Sequence, residues 1–81
     1  MDRERVEEQL LDLLAEICED DIVMTDTQVD LFESGLLDSI AYMELLLEIE
    51  SRLGVTIAPS EVTKEDVNTP EKLVDLVFSK Q

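Results

Sequence analysis

The sequence predicts an all-α fold: a small four-helix bundle of three main helices plus one short helix. Two stretches, about Arg3 to Cys18 and Ser39 to Leu53, repeat their apolar residues with the helical period. A third opens on Thr69-Pro70-Glu71, which is a hydroxyl N-cap, a proline at the first helical position and an acid in the first turn. The apolar fraction, 44%, is rich in Leu, Ile and Val and contains no Trp, so the core is aliphatic packing between helices. A chain of 81 residues has room for one domain, spanning 1–81.

In the first helix Val6, Leu10, Leu13, Leu14 and Ile17 form the buried stripe, Asp2 is the N-cap, and Glu4, Glu8, Asp12 and Glu16 line a face away from the core. Cys18 stands at the edge of that stripe and reads as an inert, buried or half-buried thiol. The long connection from about Glu19 to Leu37 mixes turn formers with apolar anchors such as Ile22, Val23, Val29, Leu31 and Phe32, so it is pinned to the core, with room for a short helical turn. The helix from Ser39 stops at Gly54. Between Ser60 and Val67 the residues allow a turn or two of helix, and in the last helix Leu73, Val74 and Val77 are the buried stripe, with Leu76 and Phe78 on its flanks.

The helix after Ser39 carries two apolar faces. Tyr42, Leu45, Leu46, Ile49 and Leu53 share one side, a complete core stripe, while Ile40, Met43 and Leu47 gather on the opposite side among Glu44, Glu48 and Glu50. Either the connection 19–37 folds over this second face, or the face is a docking surface with an apolar centre and an acidic rim.

Composition narrows the function. Twenty-one acidic against 6 basic residues give a net charge of −15, which repels nucleic acid and anionic lipid and attracts basic proteins. With no His and a single Cys, there is no zinc set, no internal disulfide and no obvious base to activate Ser39 or Cys18, so intrinsic catalysis and a resident metal are not expected. The acidic residues do not match a calcium-binding loop. The N-terminus has no signal-peptide pattern and no apolar run is long enough to span a bilayer, so the expected location is the cytoplasm.

Ser39, preceded by Asp38, opens the two-faced helix. Asp38 as N-cap with Ser39 merely tolerated is one reading. The other is that a hydroxyl at a helix N-terminus is a favourable place to attach a phosphate, because the free N–H groups and the helix dipole stabilise the anion. Gly35 lets the preceding loop turn, and Leu36 and Leu37 can pin it.

The stretch "SGLLDSIAYMELLLEIESRLGV", with "PSE" and "TPEK" after it, resembles the acyl carrier proteins, and the resemblance extends over nearly the whole chain. It implies that Ser39 carries 4′-phosphopantetheine, that Asp38 positions the serine and helps bind the metal region of a separate phosphopantetheinyl transferase, and that Ile40, Met43, Glu44, Leu47, Glu48 and Glu50 meet partner enzymes. The arm holds an acyl or aminoacyl group as a thioester, and the protein is a monomeric carrier rather than an enzyme. "LFESGLLDS", "LLLEIESRLGV", "PSEV" and "NTPEKLVD" look most like the D-alanyl carriers of lipoteichoic acid D-alanylation, a step of cell wall biogenesis. That branch implies an adenylating D-alanine ligase as loader and a downstream, membrane-associated acyltransferase. Val67 and Ile40 depart from that branch, where Trp and Met are usual. A carrier for fatty acid, polyketide or nonribosomal peptide synthesis stays open, as does an unmodified acidic adaptor. Large side chains at Leu45, Leu46 and Ile49 would fill the space that a long acyl chain needs.

Overall fold

A computed structural model describes residues 2–80; Met1 and Gln81, the two ends of the expected domain, lie outside the described residues. Its α-helices are α1 (Arg3–Cys18), α2 (Ile22–Thr25), α3 (Ser39–Leu53) and α4 (Pro70–Ser79), with 3-10 turns at Pro59–Glu61 and Lys64–Asp66. Helix α1 is the hub and packs against α2, α3 and α4.

Each helix starts and stops where its residues provide partners for the backbone groups that a helix end leaves unbonded. Asp2 accepts from the Arg5 N–H at 2.9 Å and caps α1. Thr69 accepts from the Lys72 N–H at 3.2 Å and caps α4, with Pro70 in its first turn. Helix α3 ends on Gly54 at φ 70°, a left-handed position that glycine adopts without steric cost, and its N–H reaches the Glu50 carbonyl at 3.0 Å. Helix α1 ends in the same conformation on Glu19, φ 56°, although no glycine is there.

The short α-helix falls in the first connection, at α2, whereas 60–67 winds only into 3-10 turns. Acid side chains close both of these turns. Glu61 Oε1 accepts from the Ala58 N–H at 3.1 Å and Asp66 Oδ2 from the Thr63 N–H at 2.9 Å. Val62 and Thr63 stand between them, in extended conformation, and stop either turn from growing.

The core is one cluster of aliphatic side chains. Val6, Leu10 and Leu14 of α1, Leu45 and Ile49 of α3, and Leu73 and Val77 of α4 are fully buried, joined by Val23, Leu31 and Val67 from the connections. Ile17 is half-buried against the core, and Leu11, which the single stripe did not include, is buried as well. A helix packed on several sides buries a wider face than one stripe. Leu76 is half-buried and Phe78 exposed, so only Leu76 packs on the flank of the α4 stripe.

Burial raises the Cys18 thiol above its ordinary value, and the nearby Asp20 carboxylate adds to the shift. A folded value above the unfolded one stabilises the fold at pH below the unfolded value, and this contribution is lost as pH rises through the folded one. At pH 8 Cys18 should therefore alkylate more slowly in the folded chain than in urea, because the thiolate is the nucleophile. Equal rates by mass spectrometry would show an unshifted thiol.

Candidate functional site

The candidate site is the N-terminal end of α3 and the face that runs down from it. Asp38 has extended backbone (φ −102°, ψ −178°) and its Oδ1 accepts from the Ala41 N–H at 2.8 Å. Its carbonyl takes the Tyr42 N–H, also at 2.8 Å. Asp38 is thus the cap, as the first reading has it, and this releases Ser39 from that duty. Ser39 is the first residue of α3 and is exposed, as is Asp38. The hydroxyl stands at the positive end of a 15-residue helix.

The connection does not close over the second apolar face. Ile40, Met43 and Leu47 are 81%, 48% and 66% exposed, whereas Leu45 and Ile49 on the other side are fully buried. Three large apolar side chains thus stand in one exposed row along the helix, and an exposed row of this kind is a candidate contact surface. The acidic rim is only partly free. Glu48 accepts from Arg52 Nε at 2.8 Å, and Arg52 also reaches Glu16 of α1 at 3.1 Å, which ties α3 to α1. Those carboxylates hold the Arg52 guanidinium above its ordinary value, Glu16 having the larger effect. Glu44 and Glu50 flank the row on either side, are exposed, and enter no salt bridge among the described residues.

Three of the chain's six cations are engaged elsewhere. Arg3 pairs with Asp75, Lys80 with Glu61 at 2.8 Å, and Lys72 donates to the Glu65 carbonyl at 3.0 Å. The hydrogen bond from Lys80 is the main cause that holds the Glu61 carboxyl below its usual range. Arg52, the basic residue of α3, offsets Glu48 in the rim, while Glu44 and Glu50 enter no ion pair among the described residues. Between α1 and α3, next to Glu44 and Glu48, lies an open cleft of about 420 Å³ over Leu13 and Ile17, with Glu16, Glu19 and Arg52 in its walls. Its charged lining does not suit an acyl chain.

Leu31, Phe32 and Leu37 anchor the loop before Ser39, as their apolar side chains suggest, but the sequence reading passed over Asp30. Asp30 Oδ1 accepts from the N–H groups of Phe32 (3.0 Å) and Glu33 (2.9 Å), and the Leu37 N–H closes the loop on the Leu31 carbonyl at 2.9 Å. Phe32 packs edge-on against Tyr42, with ring centroids 5.6 Å apart. An Asp two residues before an N–H it can accept was the available signal.

The geometry fits a phosphate ester on Ser39: an exposed oxygen, a helix N-terminus capped by another residue, and an apolar face beside it. Among the described residues no group of His, Cys, Asp and Glu is arranged to hold a metal ion, and no described helix is long and apolar enough to cross a membrane. Comparison with known proteins agrees with this chemistry. The sequence profile described as "Phosphopantetheine attachment site" matches residues 8–77. The D-alanyl carrier protein of Abiotrophia defectiva is 43% identical over 89% of this chain and 91% of its own length. That of Bacillus subtilis (strain 168) is 43% identical over 84% of this chain and 87% of its own, and that of Listeria innocua serovar 6a is 46% identical over 83% and 86%. With a match from α1 to α4 and relatives aligned along most of both lengths, the chain belongs to the phosphopantetheine attachment-site family, carriers whose cofactor is 4′-phosphopantetheine.

Proposed function

We propose that residues 1–81 form a single carrier domain that bears 4′-phosphopantetheine on Ser39 and carries D-alanine for the D-alanylation of lipoteichoic acid. One observation carries the assignment to Ser39: its exposed hydroxyl opens α3 inside the matched region while Asp38, not Ser39, caps the helix. Carriers of this family are not enzymes, and they act through the enzymes that load and unload them.

In the modification the Ser39 oxygen attacks the β-phosphorus of coenzyme A. An O–P bond to serine forms, the bond to the nucleotide 3′,5′-bisphosphate breaks, and the serine proton passes to a base. The transferase supplies base and magnesium, which a chain without His does not need to provide. Asp38 holds the first turn of α3, and its exposed carboxylate lies one residue from the reacting oxygen, where the transferase's metal region must come. When bound, the arm supplies a terminal thiol that carries the cargo as a thioester.

The cargo is small. Leu45, Leu46 and Ile49 fill the space between the helices, with side chains 0%, 5% and 0% exposed. Sequestering a long acyl chain there would require these close-packed residues to move apart, whereas an alanyl group needs no such space. The names of the relatives point to the same cargo. We assign the chain to the cytoplasm, where coenzyme A and the adenylating D-alanine ligase operate, with a membrane-associated acyltransferase as the downstream partner. The arm-bearing chain, given this ligase, ATP and a panel of D-alanine, L-alanine, other amino acids and fatty acids, should gain the mass of one D-alanyl group. Preferential loading of a fatty acid or another amino acid would overturn the D-alanyl assignment.

Ile40, Met43, Leu47, Glu44, Glu48 and Glu50 form the face that partners read: the apolar row supplies most of the binding free energy and the carboxylates steer. Met43→Ala and Leu47→Ala should leave stability within about 0.5 kcal/mol of wild type, as surface substitutions do. Each should raise the KM of the loading enzyme for the carrier by about five- to thirtyfold, the equivalent of ~1–2 kcal/mol lost at an interface residue. Glu44→Lys should slow association more at low than at high salt. A large fall in melting temperature in Met43→Ala or Leu47→Ala, or salt-independent association of Glu44→Lys, would remove this surface from consideration.

A further inference from the structure

The loop that leads to Ser39 is held from outside α3. The Leu31 N–H donates to the Asn68 carbonyl at 2.7 Å, and Asn68 Nδ2 donates to Asp30 Oδ2 at 3.4 Å. Asp30 in turn organises the loop through the Phe32 and Glu33 N–H groups. Phe32 is held on two sides: its ring meets Tyr42 edge-on at 5.6 Å, and Lys64 Nζ stands 5.4 Å from its centroid. Tyr42 lies in the first turn of α3, its N–H on the Asp38 carbonyl. The chain of contacts runs from 64–68 through Asp30 and Phe32 to the turn that presents Ser39. Asn68 Oδ1 is buried without a hydrogen-bond partner among the described residues. An Asn with an unpartnered buried carbonyl is a poor choice for stability alone.

We propose that Asp30, Phe32 and Asn68 are positioning residues for the modification of Ser39, a role that rests on Ser39 being the attachment site. The first turn of α3 is a helix end, and helix ends fray. Asp38 supplies one cap, and the brace from 64–68 keeps the loop in which that cap sits from swinging. Without it Ser39 would still be exposed and the row from Ile40 to Leu47 would still bind, but the hydroxyl would sample positions in which it cannot react.

The test combines amide hydrogen exchange with transferase kinetics, at a temperature where circular dichroism shows every variant folded. In Asn68→Ala the Ala41 and Tyr42 amides should exchange about tenfold faster than in wild type while those of Leu45 to Ile49 do not change, because the opening is local. With a phosphopantetheinyl transferase and coenzyme A, kcat should fall about three- to tenfold at a KM within twofold of wild type, since misplacement of a reacting atom costs the chemical step more than docking. The exchanged pair Asp30→Asn with Asn68→Asp keeps a donor and an acceptor between the two positions and should restore both readouts. If Asn68→Ala folds poorly, Phe32→Leu keeps apolar volume but loses the edge-on contact with Tyr42, and should give the same pattern. Unchanged exchange at Ala41 and Tyr42, or acceleration spread evenly over α3, would refute the positioning role. The exchange result does not depend on modification, whereas a wild-type chain that takes up no arm would instead refute Ser39 as the attachment site.

Discussion

Ser39→Ala should gain no mass when incubated with coenzyme A, magnesium and a broad-specificity phosphopantetheinyl transferase, under conditions that add one arm to every wild-type chain. The expected loss is complete, because a methyl group has no nucleophile to offer and the transferase supplies none. The same substitution should barely touch the fold. Ser39 is exposed, and Asp38 rather than Ser39 accepts the Ala41 N–H, so no cap is lost. Ala is also the better residue inside a helix, and the net change should stay within about 0.5 kcal/mol. A variant that melts like wild type and takes up no arm separates a chemical role from a capping role. Modification of Ser39→Ala at the wild-type rate would move the site elsewhere.

Ile49→Ala should be the opposite kind of variant. Ile49 is fully buried on the core side of α3, two positions beyond Leu47, which is 66% exposed. Truncating a buried Ile removes transfer free energy and leaves a cavity that the neighbours only partly fill, at a cost of about 2–5 kcal/mol. A chain of this length has a total stability of about 4–12 kcal/mol. Urea unfolding should therefore show the midpoint of Ile49→Ala shifted by a large fraction of its wild-type value, while that of Leu47→Ala hardly moves. Comparable midpoints for the two variants would contradict the division of α3 into a core side and an exposed side.

That division was legible in the sequence because both faces of α3 obey the helical period and differ only in what surrounds them. Which face is covered was not, since coverage depends on where the connection 19–37 travels; the structure leaves Ile40 in the open and sends Val23 and Leu31 into the core instead. Helix limits set by local chemistry were readable to the residue. Asp2, Gly54 and the Thr69-Pro70 pair act on backbone groups within four positions of themselves. Leu11 was left off the single stripe although it is buried, because one stripe describes a helix with one neighbour, and α1 has several. For the candidate site, type and spacing put Asp38 and Ser39 at a helix start but left cap and attachment point both open, and the attachment role of Ser39 followed from the family resemblance. The brace was not legible, because Asp30 and Asn68 are 38 positions apart and nothing local to either residue names the other. The pairing of Glu48 with Arg52 could have been expected from its four-residue spacing, and it leaves Glu44 and Glu50 as the rim carboxylates without an ion pair among the described residues.

The most direct test of the central claim is fragmentation mass spectrometry of the intact chain after modification with coenzyme A and a transferase. The account predicts a single arm, with every fragment that contains Ser39 shifted by its mass and every fragment that lacks Ser39 unshifted. An arm located on Ser34, Ser60 or Cys18, or a chain that competent transferases leave unmodified, would contradict it.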